Sequence, residues 1–167
     1  MLQKKVCMVG AFATGKTSLV ARFVKGIYSE KYHTTIGVKI DKKQIHTGQE
    51  NLTLMIWDIH GEDEFQNVRM SYLRGAAAYL LVVDGTRRDS LTVALQLKEK
   101  VAKEVGDIPF VIAINKWDLQ AQWEISELDI HALKANKSVI IYTSAKDNKG
   151  VEDCFLRVAE KIMEAMR

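Results

Sequence analysis

Proline is almost missing from this chain: Pro109 is the only one in 167 residues, and the ten glycines are scattered. No Pro- or Gly-rich linker therefore divides the chain, and collagen-like or low-complexity classes are excluded. Cysteine is nearly as scarce. Cys7 falls in an apolar strand and Cys154 in an amphipathic helix, without metal-ligand spacing, so both are expected to be small buried hydrophobes in a reducing compartment. No apolar run approaches the ~20 residues of a membrane span. Met1 leads directly into a strand, without the segments of a signal peptide, so a cytoplasmic protein with no integral membrane segment is expected. Charge of one sign is lacking too. The net charge is only +3, and the pairs Lys4-Lys5, Lys42-Lys43 and Arg87-Arg88 read as solvated surface and not as a nucleic-acid groove.

What is present is a core-forming balance, 47% hydrophobic and 27% charged, in a chain long enough for one domain with a sizeable core. The patterning alternates. Short apolar runs at 4–9, 78–84, 110–115 and 139–144 read as buried strands, and 38–47 with 52–58 as a hairpin turning near Gly48. Helical spacing follows at 19–24, near 65–74, and at 89–105, 126–136 and 150–166. The last is the clearest, with Val151, Cys154, Phe155, Val158, Ala159 and Ile162 on one face, and Ser126-x-x-Asp129 resembles a helix cap. Alternating strands and helices with one early hairpin predict a doubly wound α/β domain with a mostly parallel sheet. Ligands bind such a sheet beyond the carboxyl ends of its strands, where Gly10, Asp58, Asn115 and Ser144 stand.

Gly10-Ala11-Phe12-Ala13-Thr14-Gly15-Lys16-Thr17 matches G-x-x-x-x-G-K-[ST] between a strand and a helix. In such a loop the glycines let successive N–H groups point at phosphate oxygens, and the following helix N-terminus adds partial positive charge. Lys16 supplies a charge for the β- and γ-phosphates and Thr17 a hydroxyl for Mg²⁺. Asp58-Ile59-His60-Gly61 offers a carboxylate for Mg²⁺ through water and a glycine N–H for a γ-phosphate. Thr34-Thr35-Ile36-Gly37 offers a hydroxyl that would reach Mg²⁺ when a γ-phosphate orders the segment, or else is a Thr-rich strand entrance. In Asn115-Lys116-Trp117-Asp118 a carboxylate can accept both donors of a guanine edge, which adenine does not present, and Ser144-Ala145-Lys146 offers a backbone N–H suited to the guanine O6.

These blocks, in this order and across essentially the whole chain, resemble the small GTPases of the Ras superfamily. Thr35-Ile36-Gly37-Val38, Leu54-Met55-Ile56-Trp57-Asp58 and Ser71-Tyr72-Leu73-Arg74-Gly75-Ala76 are most similar to the Rab branch. The resemblance implies a single doubly wound P-loop G domain over 1–167, with a six-stranded mostly parallel sheet, one antiparallel edge strand and helices on both faces. It implies GTP/GDP and Mg²⁺ as ligands. Gly10, Ala13, Thr14, Gly15, Lys16, Thr17 and Ser18 would hold phosphates. Thr17, Thr35 and Asp58 (through water) would hold the metal, and Lys16, Thr35, Gly61 and Glu62 would attend the reaction. Tyr28 and Lys116 would cover the base, while Asn115, Asp118, Ser144, Ala145 and Lys146 would read it. Effectors would bind switch segments at about 28–40 and 59–74, served by an exchange factor and a GTPase-activating protein.

Three positions depart from the family pattern. Glu62 stands where a glutamine usually orients the attacking water, and an ionised carboxylate cannot donate a hydrogen bond. His60 replaces a usual alanine and is either a substitute donor or an exposed loop side chain. Phe12 occupies a position that is usually small, toward the γ-phosphate side where a partner's arginine would enter. Slow or atypical hydrolysis is the resulting expectation, and a GTP-binding interaction module with negligible hydrolysis is the alternative. An ATP-using P-loop enzyme is disfavoured by Asn115, Lys116 and Asp118. The sequence ends at Arg167 without a C-a-a-X box or terminal cysteine, so peripheral membrane association is expected only if a lipidated tail lies outside it.

Overall fold

A computed structural model describes residues 2–30, 35–48, 50–62 and 67–167. Thr34 and the first two residues of the expected 65–74 helix lie outside these. Six strands form one sheet: β1 (Leu2–Gly10), β2 (Val38–Thr47), β3 (Glu50–Ile59), β4 (Ala78–Asp84), β5 (Phe110–Asn115) and β6 (Ile140–Tyr142). Their order is β2-β3-β1-β4-β5-β6, with β2 antiparallel to β3 and the other pairings parallel. The helices are α1 (Lys16–Lys25), α2 (Arg88–Val105), α3 (Glu127–Ala135) and α4 (Val151–Ala165).

The period-2 geometry of the strands divides the core in two. Val6 and Met8 of β1, Leu80 and Val82 of β4, and Val111 and Ala113 of β5 face α1 and α4. Their neighbours Cys7, Val9, Leu81, Val83, Ile112 and Ile114 face α2 and α3. Burial on both faces is why β4, Ala-Tyr-Leu-Leu-Val-Val-Asp, has no alternation of polarity. Both cysteines are buried and free, and burial pushes the Cys7 thiol up to about 12, consistent with an inert core role. The open edge at β2 carries Lys39, Lys42 and Lys43, a charge pattern that discourages pairing with another strand.

Local chemistry sets the helix ends. Gly26 closes α1 in the left-handed conformation, φ 68°, with its N–H donating to Arg22 O. Ser126 is the expected cap of α3, and the structure adds a capping box with Asp129. Two expectations shift. Residues 70–73 form only a 3₁₀ turn, with 67–69 irregular, because His60 and Glu62 bond to Asn67 and Val68 instead of leaving that backbone to a helical ladder. The last strand shrinks from 139–144 to Ile140–Tyr142, since the Thr143 hydroxyl and the Ser144 backbone turn to side chains and loop partners. A 3₁₀ segment at Trp117–Gln122 had no periodic signal.

Phe155 of α4 is fully buried and stacks on Phe23 of α1 with ring centroids 4.1 Å apart. Phe155→Ala is expected to lower unfolding free energy by about 3–5 kcal/mol, read from urea midpoints at unchanged m-value. A loss below about 1 kcal/mol would show that the α1–α4 layer repacks freely.

Candidate functional site

The connections from β1 and β4, neighbours in the sheet, lead to helices on opposite faces. The crevice between them lies at the carboxyl ends of the strands, where a doubly wound fold places its ligand. The loop 10–15 wraps this point. Gly10 passes so close to β4 that an added Cβ would lie 2.5 Å from Val82 O. Gly15, at φ 98°, leaves no room for a side chain against the Asn115 amide. Both glycines of the motif are therefore required by close approach and backbone conformation.

Lys16 is buried, and its Nζ donates to Ala11 O at 2.7 Å inside the curl of the loop. Burial pulls the ammonium down to about 8, opposed by the Asp58 charge and reinforced by Arg87. Beside it Thr17 Oγ1 donates to Asp58 Oδ2 at 2.7 Å. Thr17 has one hydroxyl proton, so the 2.6 Å contact to Thr35 is donated by Thr35. The three residues expected at the metal thus converge. Asp58 Oδ1 is buried and has no hydrogen-bond partner among the described residues, and desolvation raises the carboxyl above its ordinary range. An orphaned carboxylate oxygen beside two hydroxyls fits a hard cation such as Mg²⁺.

Two adjoining cavities share Gly15, Ser18, Tyr28, Glu30 and Lys116. The first adds Phe12, Ala13, Lys16, Thr17, Thr35 and Gly61. The second adds Asn115, Asp118, Ala145 and Lys146. One cavity thus lies against the loop 10–15 and the other against Asn115, Asp118 and the loop after β6. Gly10 and Thr14 are buried behind the first cavity, where Thr14 Oγ1 donates to Ala11 O at 3.0 Å. Asn115 ties elements together: its Nδ2 donates to Thr14 O at 3.1 Å and its Oδ1 accepts from Thr143 Oγ1 at 3.0 Å. Lys116, left-handed at φ 73°, lies over the loop with Nζ 3.3 Å from Ala13 O and 2.7 Å from Asp84 Oδ2. The latter is an ion pair by distance without hydrogen-bond alignment. Ser144 acts through its neighbour: its Oγ donates to Asp118 Oδ1 at 2.8 Å, while its N–H is taken by Lys149 O. Lys146 pairs with Glu30 at 3.2 Å, which holds its ammonium above the ordinary range.

The residues that follow β3 pack directly on the loop 10–15. Phe12 N–H donates to Glu62 O at 2.9 Å and Glu62 N–H to Gly10 O at 3.1 Å. Gly61 makes this approach possible, since a Cβ there would lie 2.5 Å from Phe12 Cα. The Glu62 carboxylate is turned to Val68 N–H and to Lys100 Nζ, the latter at 3.3 Å. His60 is not the exposed side chain that one reading allowed. It is buried, with Nε2 2.7 Å from Asn67 O and Nδ1 3.3 Å from Gly37 O, linking the residues just before β2 to those just before the 3₁₀ turn. Phe12 is 37% exposed and lines the first cavity.

Two arginines were missed. Arg22 Nε donates to Ala145 O at 2.8 Å and Nη2 to Lys146 O at 2.9 Å, clamping the loop after β6 from α1. Arg87 Nη1 donates to Phe12 O at 2.8 Å, and Arg88 makes a two-pronged pair with Asp129. The Arg87-Arg88 pair is thus not merely solvated surface. Neither arginine lies in a motif; only helical position for Arg22, and a loop following a strand for Arg87, could have drawn notice.

A strand, a phosphate loop and a helix at the switch point of a six-stranded, mostly parallel sheet fit a Ras-like P-loop G domain. The comparisons agree: a family model described as Ras family matches residues 5–164. Ras-related protein Rab-21 of Geodia cydonium is 34% identical across 98% of this chain and 72% of its own length. Rab-17 of Mus musculus is 35% identical across 96% and 76%, and Rab-4B of Homo sapiens 31% across 95% and 76%. The chain belongs to the Ras family of small GTPases, and these relatives are Rab proteins.

Gly61→Ala is expected to break the pairing of 60–62 with 10–12, seen as loss of amide-exchange protection at Phe12 and Glu62. Unchanged protection would mean that the close approach is not needed to hold the segment.

Proposed function

We propose that residues 1–167 act as one GTPase domain, a cytoplasmic switch that binds GTP and GDP with Mg²⁺ and converts GTP to GDP. The observation that carries it is the meeting of Thr17, Thr35 and Asp58 beside Lys16, with Asp58 Oδ1 buried and unpartnered among the described residues. Thr17, Thr35 and Asp58 (through water) would hold the metal ion, which when bound neutralises charge on the β- and γ-phosphates. Lys16 would leave the Ala11 carbonyl for those phosphates, and Gly61 would offer its N–H to the γ-phosphate. Loop N–H groups from Ala13 to Ser18 would line the phosphates. Asp118 would accept the two donors of guanine, with Ala145 and Lys146 beside it and Tyr28 and Lys116 against the base faces. Ordering of segments 28–40 and 59–74 by the γ-phosphate would present the surface that effectors read, with exchange and activating proteins acting there.

A second reading, a nucleotide-loaded interaction module with negligible hydrolysis, draws on Glu62. Its carboxylate is bound by Val68 N–H and Lys100, so it is not poised to orient water, and Phe12 crowds the same end. Among the described residues no helix is long and apolar enough to cross a membrane.

Competition against a fluorescent GDP analogue should favour GTP over ATP by about a thousandfold or more, because adenine would leave Asp118 unpaired. Equal competition would end the guanine assignment. In single-turnover hydrolysis, Glu62→Gln should raise the intrinsic rate about tenfold or more, and Phe12→Gly should raise the response to an activating protein. If neither substitution alters rate or response, these residues do not restrain hydrolysis.

A further inference from the structure

We infer that Arg87, from the turn between β4 and α2, is a positioning residue for the phosphate site: by holding the Phe12 carbonyl outward, it fixes the peptide that presents the Ala13 N–H to a nucleotide's phosphates. The inference rests on the nucleotide-binding reading above.

In a trans peptide the C=O of one residue and the N–H of the next point in opposite directions. A loop that turns consecutive N–H groups to one side must therefore find donors for consecutive carbonyls on the other. Here that requirement is met residue by residue. Ala11 O accepts from Lys16 Nζ, Phe12 O from Arg87 Nη1 at 2.8 Å, Ala13 O from Lys116 Nζ at 3.3 Å and Thr14 O from Asn115 Nδ2 at 3.1 Å. Lys116 and Asn115 belong to a motif that the sequence singled out. Arg87 completes the row from outside it.

Its place in the row matters because of Ala13. That residue is left-handed, φ 60°, a conformation that an L side chain disfavours. The peptide on its N-terminal side is held through Phe12 O by Arg87, and the one on its C-terminal side through Ala13 O by Lys116. Arg87 and Lys116 thus govern the two torsions that flank one Cα. Lys116 cannot compensate for Arg87, because it grips the other peptide. The Arg87 turn is itself ordered: Asp84 Oδ1 accepts from Thr86 N–H and Oγ1, and Ser90 Oγ donates to Arg87 O at 2.7 Å. Arg87 also lies within the electrostatic field of Lys16, so it carries a charge toward the phosphate end as well as a hydrogen bond.

Charge and orientation are separable in the full chain. Binding and release of fluorescent GDP would be measured for wild type, Arg87→Met, Arg87→Gln and Arg87→Lys, from about 0.1 M to about 1 M salt, over which the screening length falls from about 10 to about 3 Å. Arg87→Met should weaken GDP about tenfold or more, through faster release, with the deficit persisting at high salt. The Ala13 amide resonance of the GDP complex should move, while the melting temperature of the nucleotide-free variant stays at the wild-type value. Arg87→Lys should recover part of the loss. If Arg87→Met does not fold, the same criteria apply to Arg87→Gln. Affinity within about twofold of wild type, a deficit that vanishes at high salt, or an unmoved Ala13 amide overturns the inference while leaving nucleotide binding intact. A wild-type chain that does not bind GDP removes both.

Discussion

A backbone that turns its N–H groups inward must satisfy its carbonyls outward, and this constraint organises the carboxyl edge of the sheet. From Gly10 to Gly15 every carbonyl accepts a hydrogen bond: from Glu62 N–H, Lys16, Arg87, Lys116, Asn115 and Leu19 N–H in turn. The donors come from the turn after β3, from α1, from the turn after β4 and from the end of β5. The loop is therefore shaped by the sheet around it. Its glycines permit the shape, and the neighbouring strand ends impose it.

The same accounting explains why the departures at Phe12, His60 and Glu62 belong together. Glu62 bonds to the loop through its backbone, while its carboxylate faces Val68 and Lys100. His60 spans from Gly37 to Asn67. These contacts tie the phosphate loop, the start of β2 and the segment after β3 into one connected unit. The side chains of His60 and Glu62 are engaged in holding that unit.

Much of the fold was legible because burial writes itself into residue pattern. The continuous apolar runs of β4 and β5 and the stripe on α4 are direct consequences of two-sided and one-sided packing. The segment at 65–74 misled because its apolar spacing suits a helix, while tertiary bonds from His60 and Glu62 claim the backbone just before the 3₁₀ turn. Of the site, the motif residues Lys16, Thr17, Asp58, Asn115, Lys116 and Asp118 could be picked out because their chemistry demands fixed types at fixed spacing. Arg22 and Arg87 could not, since a donor to a backbone carbonyl can approach from any element that passes near.

The amino-acid sequence by itself determined the alternation of strand and helix, the position of the phosphate loop and the residue types gathered at the strand ends. These follow from local periodicity and from groups whose spacing along the chain is short. Only the tertiary structure decided which atoms those groups meet. It set Asn115 as a strut, Ser144 as the partner of Asp118, the Glu62 carboxylate toward Lys100 and Arg87 on Phe12 O. The physical reason is separation: Arg87 and Phe12 are 75 residues apart in the chain, and a hydrogen bond depends on direction and distance that only the folded sheet supplies.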